Sequence, residues 1–115
     1  MCIQMNVAKA LEAVDGDREL LKSVVGDCLE QFPERLGEIE SEIQQNNREQ
    51  ISRKVHSLRS NFGLLGADGA YKVATQLEMM AVNAKMGDVY KTFQKLMKEM
   101  KLIEKFYKDQ NWTSI

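Results

Sequence analysis

The sequence has few of the residues that interrupt helices, form disulfides or bind metals. Pro33 is the one proline in 115 residues, so long helices can form without interruption. Cys2 and Cys28 are too few for a disulfide framework, and one histidine with two distant cysteines has no metal-ligand spacing. No apolar run approaches the roughly 20 residues of a membrane span, and no secretory signal pattern is present. We therefore expect a cytoplasmic protein with no membrane insertion and no metal of its own.

Charge is distributed unevenly along the chain. Residues 1–47 carry four bases and ten acids, net −6, whereas residues 48–115 carry twelve bases and seven acids, net +5. The positive region favours an anionic substrate or an acidic protein partner. Four lysines lie opposite the apolar positions of the last predicted helix: Lys91, Lys95, Lys98 and Lys105. Because no aromatic or arginine side chains interleave with them, they predict a solvated face and no nucleic-acid binding.

Apolar residues recur at helical spacing along most of the chain, and strand-like alternation is absent. The pattern predicts a short helix at about 5–14, a helical bundle at about 17–108 and a tail at 109–115. Within the bundle, helices are expected at about 48–65, 68–85 and 89–108, after a long segment that begins at Asp17. Short connections between amphipathic helices imply an all-α, antiparallel up-down four-helix bundle in a single domain.

Several residues are typical of helix ends. Asp17 is a good N-cap, and Pro33 is expected to kink its helix or to begin a new one. Gly66 can supply a left-handed residue after the third long segment, and Asp68 can cap the next helix. Gly87-Asp88 predicts a further stop and cap.

His56 is the only histidine, and it lies on the face of its predicted helix that is turned away from the core. The apolar stripe of that helix consists of Ile51, Val55, Leu58, Phe62 and Leu65. Close around His56 are Ser52, Arg59, Ser60 and Gly63. A glycine inside a helix costs about 1 kcal/mol relative to alanine, so either something approaches the imidazole here or another helix packs here. The arrangement suits an imidazole that an external group can contact and to which that group can add charge.

The positions of Cys28 and of five methionines predict that these sulfur-containing side chains have packing roles. Cys28 falls on an apolar stripe and is expected to be a core residue without nucleophilic function. Five methionines are expected to fill gaps in the core: Met79, Met80, Met86, Met97 and Met100.

The run around His56 resembles the histidine phosphotransfer (HPt) domain. The family pattern His-x-Leu-Lys-Gly-x-x-x-x-x-Gly, with a later Leu-Glu, matches His56, Leu58, Arg59, Ser60 and Gly66, then Leu77-Glu78. Ala10-Leu11-Glu12, residues 15–21 and Glu30-Gln31-Phe32-Pro33 also look like the start of such a domain, so the resemblance covers nearly the whole chain. Arg59 stands where lysine is usual and Ser60 where glycine is usual, which keeps the charge and the small size.

The resemblance implies a phosphorelay phosphocarrier. His56 would accept a phosphoryl group from the aspartate of a receiver domain, as in a hybrid sensor kinase, and pass it to a response regulator. Arg59 would meet the phosphoryl oxygens, and Glu78 would either orient the imidazole or be a solvated carboxylate. The receiver would contact Ser52, Arg53, Ser60 and Gly63, and it would supply Mg²⁺ and catalytic groups. The chain itself would then be no kinase and would need no cofactor.

Two alternatives remain open from the sequence. A helical adaptor could keep the bundle without the chemistry, although His56 with a cation at position 59 argues against it. The phosphorylated N-terminal domain of a chemotaxis-type kinase would look similar.

Residues 10–21 look more like the C-terminal domain of a bacterial hybrid sensor kinase, although Met1 also suits a separate protein. Because each helix has one apolar stripe, we expect a monomer, with a symmetric dimer through the first helix as the alternative.

Overall fold

The computed structural model describes residues 5–110, which form five helices and no strand. The helices are α1 (Val7–Ala13), α2 (Arg18–Gln44), α3 (Arg48–Leu65), α4 (Asp68–Asn83) and α5 (Met86–Asp109). Both α2 and α4 pack against α3 and α5, and no diagonal pair of long helices packs together within these residues. Short connections reverse the chain between neighbours, so the predicted antiparallel four-helix bundle is confirmed. The end of the predicted tail, residues 111–115, lies outside the described residues.

The core is centred on the predicted apolar stripe of α3. All five of its members are buried: Ile51, Val55, Leu58, Phe62 and Leu65. The ring of Phe62 meets that of Phe32 on α2 edge to face, with centroids 5.6 Å apart, a favoured geometry for aromatic pairs. Since this stripe turns inward, the opposite face of α3 must face solvent.

The short helix α1 packs against the C-terminal end of α3. The side chain of Asn6 caps α1 by accepting from the backbone N–H of Lys9, while the N–H of Asn6 donates to the carbonyl of Gly66 at 2.7 Å. Gly66 has φ +66°, which confirms the predicted left-handed helix end. A Cβ at this position would lie 2.6 Å from the Asn6 carbonyl oxygen, so the close approach of α1 also requires glycine.

Two predicted helix starts differ in the structure. Asp68 is the first residue of α4 and Ala67 precedes it, so Asp68 contributes its charge to the first turn and does not cap the helix with its side chain. The last helix begins at Met86, three residues earlier than predicted, because extended backbone at Ala84 and Lys85 already makes the turn. Gly87-Asp88 therefore lies inside the first turn of α5.

Helix α2 continues through Pro33. Asp17 caps this helix as predicted, accepting from the N–H of Leu20 at 3.0 Å. Proline inside a helix removes one hydrogen bond and costs about 3 kcal/mol. Burial of Phe32 immediately before it and of Ile39 after it holds both halves of the helix on the same core. Tertiary packing thus overrides the local break.

The methionine prediction holds except at one position. Met100 is buried, and Met80, Met86 and Met97 are partly buried against the core. The prediction is wrong for Met79, which is 70% exposed. Adjacent helical positions point about 100° apart, and with Met80 on the core side of α4, Met79 points away from the core.

Cys28 is only half-buried, but it packs against the core as predicted. Burial raises the pKa of its thiol; Arg35 opposes that rise and Asp27 adds to it, both with smaller effects. Because the thiolate is the nucleophilic form, a raised pKa fits a packing role.

The outer faces of the helices are polar. The four lysines predicted to line the solvated face of α5 are exposed. None of the helices within residues 5–110 is both long enough and apolar enough to span a bilayer.

Candidate functional site

His56 lies in the middle of α3, and its side chain is 55% exposed. Its neighbour Val55 and, two positions on, Leu58 are buried, so the helix directs the imidazole outward beside α4. Burial of the apolar stripe sets the rotation of α3 and therefore also places His56 on the surface.

The imidazole is held from α4 by Glu78. Nδ1 of His56 lies 3.0 Å from Oε2 and 3.3 Å from Oε1 of this carboxylate, whose side chain is 21% exposed. A carboxylate only accepts hydrogen bonds, so Nδ1 carries the hydrogen and donates it to Glu78. In the neutral ring, that assignment leaves the lone pair on Nε2, and no partner of Nε2 is found among the described residues.

Arg59 completes the polar cluster from one turn further along α3. Its Nη1 lies 3.4 Å from Oε1 of Glu78, and its Nη2 lies 3.2 Å from Nδ1 of His56. A single ring nitrogen cannot both donate to Glu78 and accept from Arg59. The carboxylate takes the Nδ1 hydrogen and the guanidinium pairs with the carboxylate, so Arg59 contacts the ring without a second hydrogen bond to it.

An open groove of about 520 Å³ adjoins the imidazole between α3 and α4. Its lining includes Ser52, Arg53, His56 and Glu78, together with Arg48, Glu49, Ala81 and Val82. At its far end Arg48 donates to the carbonyl of Ala81 at 3.3 Å, which satisfies a carbonyl in the last turn of α4 and ties the two helices together. The structure thus brings two of the four predicted partner contacts into one groove with the histidine.

The other two predicted contacts lie differently. The hydroxyl of Ser60 is exposed and donates to the carbonyl of His56 at 3.2 Å. Gly63 faces Tyr71 of α4: a Cβ there would lie 3.4 Å from the ring. Of the two explanations for a glycine inside α3, packing of another helix is therefore the one that the structure supports.

Sequence reasoning missed three residues near the site. The ring of Tyr71 lies 5.9 Å from the guanidinium carbon of Arg59. Met79 and Val82 are 70% and 67% exposed, and Val82 lines the groove beside Glu78. A helical projection of α4 could have found Tyr71 and Val82, because positions seven and four away from Glu78 lie on its face, and Met79 lies three positions from Val82.

Metal-ligating residues do not gather at this site. Across residues 5–110, no group of three or more His, Cys, Asp or Glu side chains could hold a metal ion. Glu78 is instead engaged with His56 and Arg59.

Comparison with protein families gives a match to the Hpt domain over residues 23–105, more than half of the chain. Neither the curated proteins nor the solved structures contain a match to this chain. The matched residues include the exposed His56 of α3 and the whole of α4, whose Glu78 contacts the imidazole. The fold and the match define a helical histidine phosphocarrier, and the chain belongs to the Hpt family, whose members carry phosphoryl groups in two-component signalling and are not kinases.

Proposed function

We propose that His56 is the phosphoacceptor of this domain. It takes the phosphoryl group from the aspartyl phosphate of a receiver domain, such as that of a hybrid sensor kinase, and passes it to a response regulator. The observation that supports this most strongly is the hydrogen bond from Nδ1 to Glu78, which in the neutral ring puts the lone pair on Nε2 at an exposed face.

The reaction at His56 is a nucleophilic displacement at phosphorus. The lone pair of Nε2 forms the N–P bond while the P–O bond of the aspartyl phosphate breaks, and the aspartate carboxylate leaves with the bonding electrons. The ring keeps its Nδ1 hydrogen and becomes positively charged. Glu78, which accepts that hydrogen, stabilises the developing charge and keeps the correct tautomer. Return transfer follows the same path in reverse.

Arg59 neutralises charge on the phosphoryl group in this scheme. Its guanidinium already lies at the ring, 3.2 Å from Nδ1, so its positive charge is close to a phosphoryl group carried on the same ring. Arginine suits this role because its planar group donates several hydrogen bonds to phosphate.

The docking surface for the receiver includes polar and apolar parts. Ser52, Arg53 and Ser60 provide polar contacts on α3. Met79 and Val82 add exposed apolar surface on α4, next to the groove. Exposed apolar side chains close to a reacting group are typical of a protein-binding surface.

The receiver supplies the metal in this proposal. Phosphoryl transfer needs charge neutralisation beyond one guanidinium, and the site described above lacks the acidic cluster that would bind Mg²⁺. We further propose that the domain acts as a monomer in the cytoplasm, where receiver domains are phosphorylated.

The decisive experiment is transfer of radiolabelled phosphate from a phosphorylated receiver in the presence of Mg²⁺. Wild type should acquire label that is acid-labile and base-stable, as expected for phosphohistidine, and the His56→Gln variant should acquire none. His56→Glu provides a second substitution at the same exposed position. Both variants should unfold within a few degrees of wild type, because the side chain is largely exposed.

The same assay tests the alternative. If a panel of receivers transfers no label to the folded wild type, the phosphocarrier proposal is wrong and an adaptor becomes the better explanation. Adding a second, unphosphorylated receiver to the labelled domain measures the onward step and gives the direction of flow.

A further inference from the structure

We propose that Tyr71 is a positioning residue that holds the guanidinium of Arg59 beside the imidazole of His56; its role in transfer rests on the proposed function. The tyrosine ring lies on α4, 41% exposed, with its centroid 5.9 Å from Cζ of Arg59. A guanidinium within about 6 Å of an aromatic face is attracted by the ring quadrupole.

The ring lies against α3 at Gly63. The nearest atom of Tyr71 would lie 3.4 Å from a Cβ at residue 63, so the ring packs directly against the backbone of α3. Arg59 is one helical turn before Gly63 on the same helix, and the ring therefore lies beside the arginine side chain. The Tyr71 ring on α4 thus supports Arg59 in a way that the sequence of α3 alone does not reveal.

Arg59 is consequently restrained on two sides. Tyr71 lies on one side and the carboxylate of Glu78 on the other, 3.4 Å from Nη1, and only 28% of the arginine side chain is exposed. A long side chain loses considerable rotamer freedom when it is held in one place. When the Tyr71 ring is present, the Arg59 side chain is already ordered before the receiver docks. Its positive charge is therefore in place when transfer begins.

The stacking also gives a reason for arginine at this position. A planar guanidinium can lie over a ring and still pair with a carboxylate, whereas a lysine ammonium is a point charge on a flexible stem. Arg59→Lys should therefore keep the charge and lose most of the benefit of Tyr71.

The test is a double-mutant cycle on the single-turnover rate of transfer from a phosphorylated receiver. Tyr71→Leu should slow transfer about threefold to tenfold in the wild-type background. In the Arg59→Met background the same change should have less than about a twofold effect, because the group through which Tyr71 acts is absent. Tyr71→Phe keeps the ring and should restore the wild-type rate.

Tyr90→Leu is the matched control. Tyr90 is 37% exposed, close to the exposure of Tyr71, but it lies on α5 and contacts Phe93. This variant should transfer within about twofold of wild type. An equal slowing by Tyr71→Leu with and without Arg59, or a Tyr71→Phe variant as slow as Tyr71→Leu, overturns the proposal.

A spectroscopic measurement separates this proposal from the proposed function. The side-chain N–H signal of Arg59, assigned by its loss in Arg59→Lys, should shift in unphosphorylated Tyr71→Leu and keep its position in Tyr90→Leu. If it shifts as expected while wild type accepts no label, the positioning of Arg59 stands and the phosphocarrier role is wrong. An Arg59 signal that Tyr71→Leu leaves unchanged contradicts the positioning itself.

Discussion

Oε2 of Glu78 on α4 lies 3.0 Å from Nδ1 of His56 on α3. The two residues are 22 positions apart in the chain, and the antiparallel packing of α3 against α4 brings them together. The contact converts an otherwise ordinary exposed imidazole into one whose two nitrogens differ. In the neutral ring Nδ1 is occupied as a donor, and Nε2 has the lone pair that the proposed transfer requires.

Replacement of Glu78 should slow transfer without unfolding the domain. We expect Glu78→Ala to lower the single-turnover rate about 10-fold, since it removes the acceptor that fixes the tautomer and stabilises the charged ring. Glu78→Gln keeps an oxygen acceptor but no charge, so it should fall between Ala and wild type. A Glu78→Ala variant that transfers at the wild-type rate would show that the carboxylate is only a solvated helix residue.

Replacement of Gly63 by alanine should stabilise the domain. The new Cβ would meet the Tyr71 ring at an ordinary contact distance of 3.4 Å, and alanine is favoured over glycine in a helix by roughly 0.5–1 kcal/mol. Urea unfolding should show that increase in the free energy of unfolding. Transfer should remain within about twofold of wild type; slower transfer only at low receiver concentration would instead keep Gly63 in the partner surface.

The exposed apolar residues of α4 should affect docking more than chemistry. We expect Met79→Ser combined with Val82→Ser to raise the receiver concentration needed for half-maximal rate about 10-fold, because apolar area that docking would bury is lost. The rate at saturating receiver should change little. Leu102→Ser, at a 41% exposed position on α5, is the control and should leave both quantities unchanged. Equal effects at the two surfaces would remove α4 from the docking surface.

The centre of the core should be far more sensitive than the surface of the same helix. Phe62 is fully buried and contacts Phe32, so Phe62→Ala should cost about 3–5 kcal/mol of the free energy of unfolding. Leu64, two positions on, is 53% exposed, and Leu64→Ala should stay within about 0.5 kcal/mol of wild type. Denaturant unfolding measures both, and similar losses would contradict the arrangement of α3.

Local pattern was sufficient for the orientation of α3. The spacing of Ile51, Val55 and Leu58 predicts one buried face, and the structure buries all three. Once that face is known, the exposure of His56 follows from helix geometry alone. The same reasoning failed at Met79, where composition suggested core but the helical angle directs the side chain outward.

The starts and ends of helices were harder to predict than their buried faces, because several residue types are compatible with each helix end. Gly66 was predictable, since its left-handed conformation strongly favours glycine. Helix α5 instead begins before Gly87, and α2 continues through Pro33. At Pro33, burial of Phe32 and Ile39 outweighs a local cost of about 3 kcal/mol, whereas at Gly87 the turn has already been made by extended backbone at Ala84 and Lys85.

Residue order is sufficient to predict the helical class, the buried stripe of α3 and the outward position of the one histidine, because these follow from a 3.6-residue period within single segments. The side chains from α4 that meet that histidine are instead a result of packing between helices. The contacts of Glu78 with His56 and of Tyr71 with Arg59 depend on the depth and rotation at which α4 packs on α3. Those quantities arise from the fit of the whole core, which no single segment encodes.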